Sequence, residues 1–390
     1  MAKALKSVRI GIIGVGGMGT GHARSIMEAK GKDFSLSAVA DVDPKRVEAL
    51  VSQYGVRGFA DGYKLIDPEL VDAVIIATPH YFHPPYAIYA ARRGVHVLTE
   101  KPMGVTVGAA RAMVAECKKH KVALGVMFQQ RNRPNMKKMK QLVAGGAIGE
   151  LFRVQMICST WYRTAAYYRS GSWRGTWDGE GGGILLNQAP HSLDLFQWIG
   201  GMPRRVLATV GTRTHKIEVE NTANAILDYG GGKTGYIYAT TAEAPGYEQL
   251  MVCGTKGTLV AEGGKLRLGK LAMPLEKHLM TAKNGFGQPE CAWSDVPLEA
   301  GGGAHIQIIQ AFVANILKGK PLAASGEEGV NELELSNAIY VSGYMDKAVD
   351  LPLDGEEIEK LISKLQKERG TGKGGNLRKL AAAQMRKLLS

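Results

Sequence analysis

The sequence has few cysteines and no long apolar run, and both scarcities restrict the classes of protein it can belong to. Its four cysteines stand far apart with no C-x-x-C pair, which disfavours a disulfide scaffold and a zinc site. No apolar run approaches the ~18–20 residues that cross a bilayer. Residues 1–7 carry charge but no apolar signal-peptide core. We therefore expect a cytoplasmic protein with reduced thiols, no membrane association and no metal.

Acidic residues are also scarce, since 36 Asp and Glu stand against 49 Lys and Arg and leave a net charge of +13. The tail at 370–390 holds five basic residues and no acidic one. A basic chain suggests nucleic acid as a partner, but this one lacks interleaved aromatics and any zinc-finger or helix-turn-helix signature. We expect a solvated basic surface that attracts anionic cofactors, and no nucleic-acid partner.

Glycine is abundant, and one glycine cluster has the form of a nucleotide-binding motif. A β-branched strand at 8–14 leads directly into G-x-G-x-x-G and then into a helix. A second strand at 36–40 ends at Asp41, where the acidic residue that holds an adenosine ribose is expected. Asp41 would repel a 2′-phosphate, which favours NAD over NADP, although the nearby Arg46 leaves NADP open. The predicted cofactor contacts are Gly14, Gly16, Gly17, Met18, Gly19, Asp41 and Val42.

Two further predicted strands, at 71–77 and 95–99, each end in a polar loop. Ligands of open α/β sheets bind outside the carboxyl ends of the strands. A lysine before proline favours an extended backbone, so the Lys101 ammonium can reach into that crevice. A metal held by His80 and His83 is an alternative that lacks a third ligand nearby. We predict six more cofactor contacts: Thr78, Pro79, His80, His83, Glu100 and Lys101.

A triple glycine at 181–183 enters an apolar run with helical spacing. Asn187, His191, Asp194 and Trp198 share one stripe of this predicted helix, whereas its other sides are apolar. A buried polar stripe must face groups that satisfy it, which predicts a functional site. A polar edge that faces water is the alternative.

The loop before that helix holds three tryptophans and three arginines within residues 161–177. Pyranose rings can pack their C–H faces on indoles, and arginine offers fixed donors to hydroxyls. Packing in the core explains some of these rings, but contact with a substrate explains the whole set of tryptophans and arginines better. Gln130, at the crossover between the two halves of the chain, is predicted to contact both cofactor and substrate. The other predicted substrate contacts in this part of the chain are Trp161, Arg163, Tyr167, Trp173 and Arg174.

The second half of the sequence predicts an antiparallel sheet, because turn glycines separate several strand-like segments. These segments lie at 151–159, 205–214, 222–229, 234–240 and 249–253. Helical spacing occurs at 304–318 and 328–349. Apolar residues at 377–388 share a helical face, which predicts docking on the chain's own domain or on a neighbouring subunit; a membrane-surface helix is the alternative.

Four motifs in this order resemble the Gfo/Idh/MocA oxidoreductase family over about residues 8–350. They are G-x-G-x-x-G, the acidic end of the second strand, Glu100-Lys101-Pro102, and the glycine-rich helix with His191. The resemblance implies an α/β fold in which residues 1–128 form a Rossmann domain with a doubly wound parallel sheet. Residues 129–390 would form a C-terminal α/β domain for substrate binding, whose open, largely antiparallel sheet makes a homo-oligomer, a dimer or tetramer.

The resemblance also implies that a nicotinamide cofactor oxidises or reduces secondary alcohols of sugars and inositols. Three residues would be catalytic and would also contact the substrate: Lys101, His191 and Asn187. His191 would accept the hydroxyl proton, and Lys101 would stabilise alkoxide character on the oxygen. Family members commonly carry aspartate where this chain has Asn187, so the division of acid and base roles stays open.

Asn187-Gln188-x-x-His191 and the Trp-Arg-Gly-Thr-Trp loop most resemble the branch with levoglucosan dehydrogenase and glucoside 3-dehydrogenases. That branch implies NAD-dependent oxidation of a secondary hydroxyl, at C3, of a pyranose sugar, an anhydrosugar such as levoglucosan, or a glucoside. The alternatives are an inositol 2-dehydrogenase and a redox-neutral glycosidase that acts through a 3-keto intermediate. A sugar sensor without catalysis is a third, which the presence of both Lys101 and His191 disfavours.

Overall fold

Six short strands from the first third of the chain form a parallel sheet with the glycine motif at its carboxyl edge. The computed structural model describes residues 5–29 and 33–389. The strands are β1 (Val8–Ile13), β2 (Phe34–Ala40), β3 (Arg57–Phe59), β4 (Ala73–Ile76), β5 (His96–Thr99) and β6 (Leu124–Val126). They lie in the order β3-β2-β1-β4-β5-β6, and every pair is parallel. The predicted doubly wound sheet is confirmed.

Helices cover this sheet because its central strands are apolar on both faces. They are α1 (Gly17–Glu28), α2 (Pro44–Tyr54), α3 (Gly62–Leu65), α4 (His83–Arg92) and α5 (Val107–Lys119). Local signals set the ends of α2: Asp43 accepts a hydrogen bond from Lys45 N, Pro44 opens the helix, and Gly55 closes it with φ +67°. The last strand, β6, is followed by a 3₁₀ turn at Gln129–Asn132.

A nine-stranded sheet forms the second half of the fold. After α6 (Pro134–Ala144) its strands are β7 (Leu151–Cys158), β8 (Arg205–Gly211), β9 (Thr222–Gly230), β10 (Lys233–Thr240), β11 (Glu248–Gly254), β12 (Gly257–Glu262), β13 (Lys265–Leu271), β14 (Cys291–Asp295) and β15 (Val349–Asp350). They lie in the order β14-β13-β12-β11-β7-β10-β9-β8-β15, and within the described part of this sheet only β7 and β10 pair in parallel. The predicted, largely antiparallel sheet is confirmed.

The remaining helices are α7 (Ala165–Arg169), α8 (Pro190–Gly200), α9 (Leu275–Thr281), α10 (His305–Lys318), α11 (Gly326–Met345), α12 (Gly355–Arg369) and α13 (Leu377–Leu389). Helices α8 and α11 pack on one face of the nine-stranded sheet. Helix α11 ends earlier than predicted because Asp346 takes a left-handed conformation, with φ +51°. No helix in the described ranges is long and apolar enough to span a bilayer.

Two helices from the second half of the sequence pack against the first sheet's domain. Ile308, Ile309 and Phe312 of α10 share a buried cluster with Ile10 of β1. Helix α13 packs against α4, and Gln384 accepts a hydrogen bond from the Tyr63 hydroxyl at 2.9 Å. The basic tail therefore docks on its own chain. The boundary between residues 128 and 129 stays a prediction, and α10 and α13 both reach back across it.

Candidate active site

The glycine motif forms a tight turn between β1 and α1 that leaves room for a ligand. Gly14 has φ +87°, and a side chain there would come within 2.7 Å of the Ala77 carbonyl oxygen. At Gly19 a Cβ would lie 1.9 Å from the Gly14 oxygen, so α1 packs directly on the turn. Gly16 precedes the first turn of α1, and the space beside Gly17 is open. Free N–H groups at such a helix start bind phosphate, which fits a dinucleotide.

Asp41 lies beside this turn, at the end of β2. Its carboxyl accepts hydrogen bonds from Val15 N at 2.8 Å and Asp43 N at 2.9 Å. Arg46 Nη1 is 3.8 Å from the Asp41 carboxyl, so the arginine noted in the sequence contacts the predicted ribose ligand. Val42 is exposed next to it, and Met18 is exposed on α1. The structure thus brings the predicted adenosine-side residues to one edge of the sheet.

The loop after β4 is held by its two histidines. His80 Nδ1 is 3.0 Å from the Glu180 carbonyl oxygen, and burial lowers the pKa of His80 to about 3. His83 is fully buried, with one ring nitrogen on the Pro102 carbonyl and the other on that of Thr78. His83 therefore braces this loop, and its contact with a cofactor stays a prediction.

Glu100 and Lys101 follow β5 and have different partners. The Glu100 carboxyl is 2.7 Å from His22 Nε2 of α1. Burial opposes ionisation of Glu100, but His22 and the charge of Lys101 outweigh it and lower the pKa to about 2. Glu100 thus ties β5 to α1. Lys101 Nζ points toward the other domain and donates to the Asn187 backbone oxygen at 2.8 Å.

His191 lies on the first turn of α8, close to Lys101. It is 6% exposed, and its ring meets the Phe128 ring edge-on at 6.0 Å. Burial, and then the positive charge of Lys101, hold the pKa of His191 well below its usual range. The imidazole is therefore neutral near pH 7 and can accept a proton. Burial lowers the pKa of Lys101 as well, against the opposing charges of nearby carboxyl groups.

The predicted polar stripe is only partly correct, because α8 begins later than the sequence pattern suggested. Asn187 lies in the turn before the helix, where its N–H bonds the Gly183 oxygen at 3.0 Å. Asp194 forms a buried ion pair with Arg131. Trp198 lies against the same Arg131, with the guanidinium carbon 5.1 Å from its ring centre. Among the four residues of the predicted stripe, His191 is the one that lies on α8 and faces Lys101.

The loop at residues 161–177, here called the Trp–Arg loop, supplies one face of the candidate site, the Trp–Arg face. Arg174 Nη1 donates to the Tyr167 hydroxyl at 2.7 Å, and the guanidinium lies over both the Tyr167 and Trp173 rings. Arg163 lies over the Trp161 and Tyr167 rings. Trp177 instead belongs to the core, fully buried, so this tryptophan is explained by packing. The side-chain oxygen of Gln130 accepts a hydrogen bond from Arg133 at 3.3 Å, and its contacts with cofactor and substrate stay predictions.

Several buried polar atoms around Lys101 have no hydrogen-bond partner within the described ranges. Buried polar groups are normally satisfied, so a cluster of unsatisfied ones indicates that a polar ligand belongs there. Those on residues near Lys101 are Arg163 Nε, His191 Nδ1 and both carboxyl oxygens of Glu332, and Thr78 Oγ1 and Trp161 Nε1 are further unpaired atoms.

Models of two protein-family domains match this chain. Residues 8–128 match an oxidoreductase family described as having an NAD-binding Rossmann fold, and residues 136–260 match a GFO/IDH/MocA C-terminal domain. The chain belongs to the Gfo/Idh/MocA oxidoreductase family. It is an oxidoreductase of the sugar and polyol dehydrogenase kind, and NAD is its cofactor.

The relatives differ in the compound that they are named for or were solved with. Myo-inositol 2-dehydrogenase of Thermotoga maritima is 27% identical over 88% of this chain and 98% of that protein. The WlbA dehydrogenase of Bordetella pertussis, solved with NADH and UDP-GlcNAcA, has a TM-score of 0.74 and 28% identity over 89% of this chain and all of its own. Levoglucosan dehydrogenase with NADH and levoglucosan has a TM-score of 0.74 at 22% identity, over 89% of this chain and all of its own, and is similar in fold.

One buried carboxyl group that the sequence analysis did not single out lies beside Asn187, near the charges of Lys101 and Arg174. Glu180 is 1% exposed, and its side chain meets the Asn187 amide. Burial raises the pKa of Glu180 to about 7, against the Gly175 N–H and the Asn187 amide, which lower it. Glu180 stands just before the triple glycine, outside any periodic pattern. The only feature of the sequence that could have identified it is its position directly before the triple-glycine motif.

Proposed function

We propose that this enzyme oxidises a secondary hydroxyl of a pyranose ring, at C3, with NAD as hydride acceptor. The substrate is a sugar, an anhydrosugar such as levoglucosan, or a glucoside. The observation that carries the proposal is the meeting of Lys101, from the Rossmann domain, with Asn187 and His191 from the other sheet's domain. A half-buried cation beside a buried, neutral imidazole suits the removal of a hydroxyl proton.

The glycine turn, Asp41, Thr78 and Pro79 would hold the NAD, which supplies a hydride acceptor when bound. The alcohol then loses a hydride from carbon and a proton from oxygen, leaving a ketone. His191 accepts the proton, since its pKa keeps the ring neutral beforehand. Lys101 favours the alkoxide form of the oxygen by its charge.

Ring recognition is assigned to the Trp–Arg face. The unsatisfied donors of Trp161 and Arg163 are available to sugar hydroxyls. Trp173 offers an apolar surface for ring C–H groups. Gln130 and Asn187 complete the proposed substrate contacts. The alternative within the same chemistry is an inositol 2-dehydrogenase, which the similarity to the Thermotoga maritima enzyme over nearly its whole length favours.

Incubating the purified enzyme with NAD and a panel of levoglucosan, glucose, glucosides and myo-inositol tests the proposal. We expect absorbance at 340 nm to rise with a pyranose substrate. A rise with inositols alone would support the inositol alternative. Release of the aglycone from a glucoside without that rise would identify a redox-neutral glycosidase, and no reaction at all would leave a sugar sensor.

We also propose that the enzyme is a cytoplasmic homo-oligomer, a dimer or tetramer, joined through the nine-stranded sheet. The face of this sheet turned away from α8 and α11 exposes Leu207, Ile226 and Tyr236, at 50%, 60% and 36%. An exposed apolar patch of this kind marks an interaction surface. The four cysteines are free thiols, which suits a reducing compartment.

A further inference from the structure

The two oxygens of the Glu180 carboxyl have separate partners. Oε2 accepts the backbone N–H of Gly175 at 2.6 Å, whereas Oε1 accepts from the Asn187 side-chain Nδ2. The positive charges of Lys101 and Arg174 act on this carboxyl, and the negative charge of the carboxylate acts on the Tyr168 hydroxyl. The carboxyl is thus a buried acid whose Oε1 side adjoins Asn187 and whose Oε2 side is held by the backbone.

The Asn187 amide has a nitrogen end and an oxygen end, and its neighbours decide which end faces the ligand. Nδ2 donates to Glu180 and to the Tyr167 hydroxyl, the latter at 3.2 Å. An ionised carboxylate only accepts hydrogen bonds, so the nitrogen end must face Glu180 whenever Glu180 is charged. The oxygen end then remains as an acceptor for another donor.

We propose that Glu180 is a positioning residue that decides which end of the Asn187 amide meets the substrate, and that one proton on Glu180 reverses the amide. The proposal rests on the proposed function, in which Asn187 contacts a ring hydroxyl. With Glu180 ionised, Asn187 Oδ1 accepts that hydroxyl's proton in a hydrogen bond and orients it. With Glu180 protonated, the amide presents Nδ2 instead. Because Nδ2 only donates hydrogen bonds, the substrate hydroxyl must then accept one.

The structure also determines which oxygen takes the proton. Gly175 N–H already donates to Oε2, so a proton on Glu180 belongs on Oε1, the oxygen beside Asn187. There it donates to Asn187 Oδ1, which requires the amide to turn. The pKa of Glu180 is raised to about 7, chiefly by burial, so both forms are populated near neutral pH. Substrate binding should therefore strengthen as the pH rises through that value.

Glu180→Gln tests the orientation directly. The glutamine oxygen must stay on the Gly175 N–H, so its NH₂ group faces Asn187 and holds the amide reversed at every pH. We expect KM for levoglucosan above pH 7 to rise about 10-fold, the effect of one hydrogen bond, with a smaller change in kcat. The pH transition in KM should disappear. A variant that keeps a transition near pH 7 would overturn the proposal.

Two further variants separate orientation from general damage. In Glu180→Gln combined with Asn187→Asp, the aspartate accepts from the introduced glutamine amide and still offers an oxygen to the substrate, so KM should return to within about 3-fold of wild type. A double variant no better than the single one contradicts the proposal. Glu220→Gln removes another buried carboxyl whose pKa is raised to about 7 but which bonds Gly183 and Leu185, and it should keep the transition.

A measurement without turnover keeps this inference separate from the proposed function. In protein labelled with ¹⁵N-asparagine, the side-chain signal that Asn187→Asp removes should shift with a midpoint near pH 7 in the wild type and stay constant in Glu180→Gln. A constant signal in both proteins refutes the amide reversal even if sugars are oxidised. A shifting signal with no sugar oxidised would refute the proposed function and leave the reversal standing.

Discussion

Arg131 and Asp194 form a doubly hydrogen-bonded ion pair inside the protein, with side chains only 2% and 1% exposed. Arg131 Nε lies 2.8 Å and Nη2 2.6 Å from the two carboxyl oxygens of Asp194. The pair joins the 3₁₀ turn after β6 to α8, the helix that carries His191. Asp194 therefore has a structural role, because it fixes the helix of the proposed proton acceptor to the turn that follows the parallel sheet.

Asp194→Ala should lower the free energy of unfolding by about 3–5 kcal/mol, because it leaves the Arg131 charge buried without its main partner. The matched control is Asp350→Ala, which breaks the exposed pair with Arg205, whose side chains are 54% and 70% exposed (Arg205 and Asp350). The control should change stability little, since water solvates both charges. Urea unfolding curves measure both, and similar losses in the two variants would contradict the buried role.

Lys101→Ala and His191→Ala should each lower kcat by roughly 10²–10⁴ while the Kd for NAD hardly changes. Both side chains act on the substrate oxygen in the proposed mechanism, away from the adenosine side of the cofactor. Steady-state rates and fluorescence titration with NADH measure the two effects. Lys360→Ala and His278→Ala, on the surface, serve as controls. If both Lys101→Ala and His191→Ala turn over at nearly the wild-type rate, the proposed catalytic roles of these residues are wrong.

Asp41→Ala should weaken NAD binding more than NADP binding. The carboxylate that would hold the ribose hydroxyls of NAD repels a 2′-phosphate, and its removal leaves Arg46 beside the site. The ratio of kcat/KM for the two cofactors measures the change. An equal loss for both cofactors would show that Asp41 supports the glycine turn, through Val15 N, without contacting the ribose.

Glu220→Gln should make stability less dependent on pH. Burial raises the pKa of Glu220 to about 7, against the Leu185 and Gly183 N–H groups and the Tyr340 hydroxyl. The folded protein therefore holds this proton more tightly than the unfolded chain. That stability is complete below about pH 4 and is lost as pH rises through about 7, for roughly 3–4 kcal/mol in total. Thermal melts across this range should run flatter in the variant; parallel curves would refute the assignment.

Ile226→Lys should dissociate the proposed oligomer by placing a charge in the middle of the exposed sheet face. Leu279→Lys changes a side chain that is 77% exposed on α9 and provides the control. Light scattering during size-exclusion chromatography gives the mass of each. If wild type is a monomer, or if Ile226→Lys keeps the wild-type mass, this face is not the interface.

Local patterns predicted much of the fold and part of the site. β1, the glycine turn and Asp41 lie close in sequence, and their chemistry follows from strand, turn and helix signals within about 35 residues. Five strands of the second sheet were found from alternation and turn glycines, whereas β13, β14 and β15 were not predicted; the residues of β14 are all exposed and show no alternation in burial. Asn187 was assigned to the helix because its spacing fits, whereas Pro190 begins α8 three residues later.

The sequence by itself determined the fold class and the cofactor and predicted Lys101 and His191 as site residues, since each depends on short-range order along the chain. Only the tertiary structure decided what surrounds them. Arg131 and Asp194 are 63 positions apart, and no periodicity connects them. Glu180 became part of the site because burial changes the chemistry of a carboxyl, and burial is a property of the folded chain.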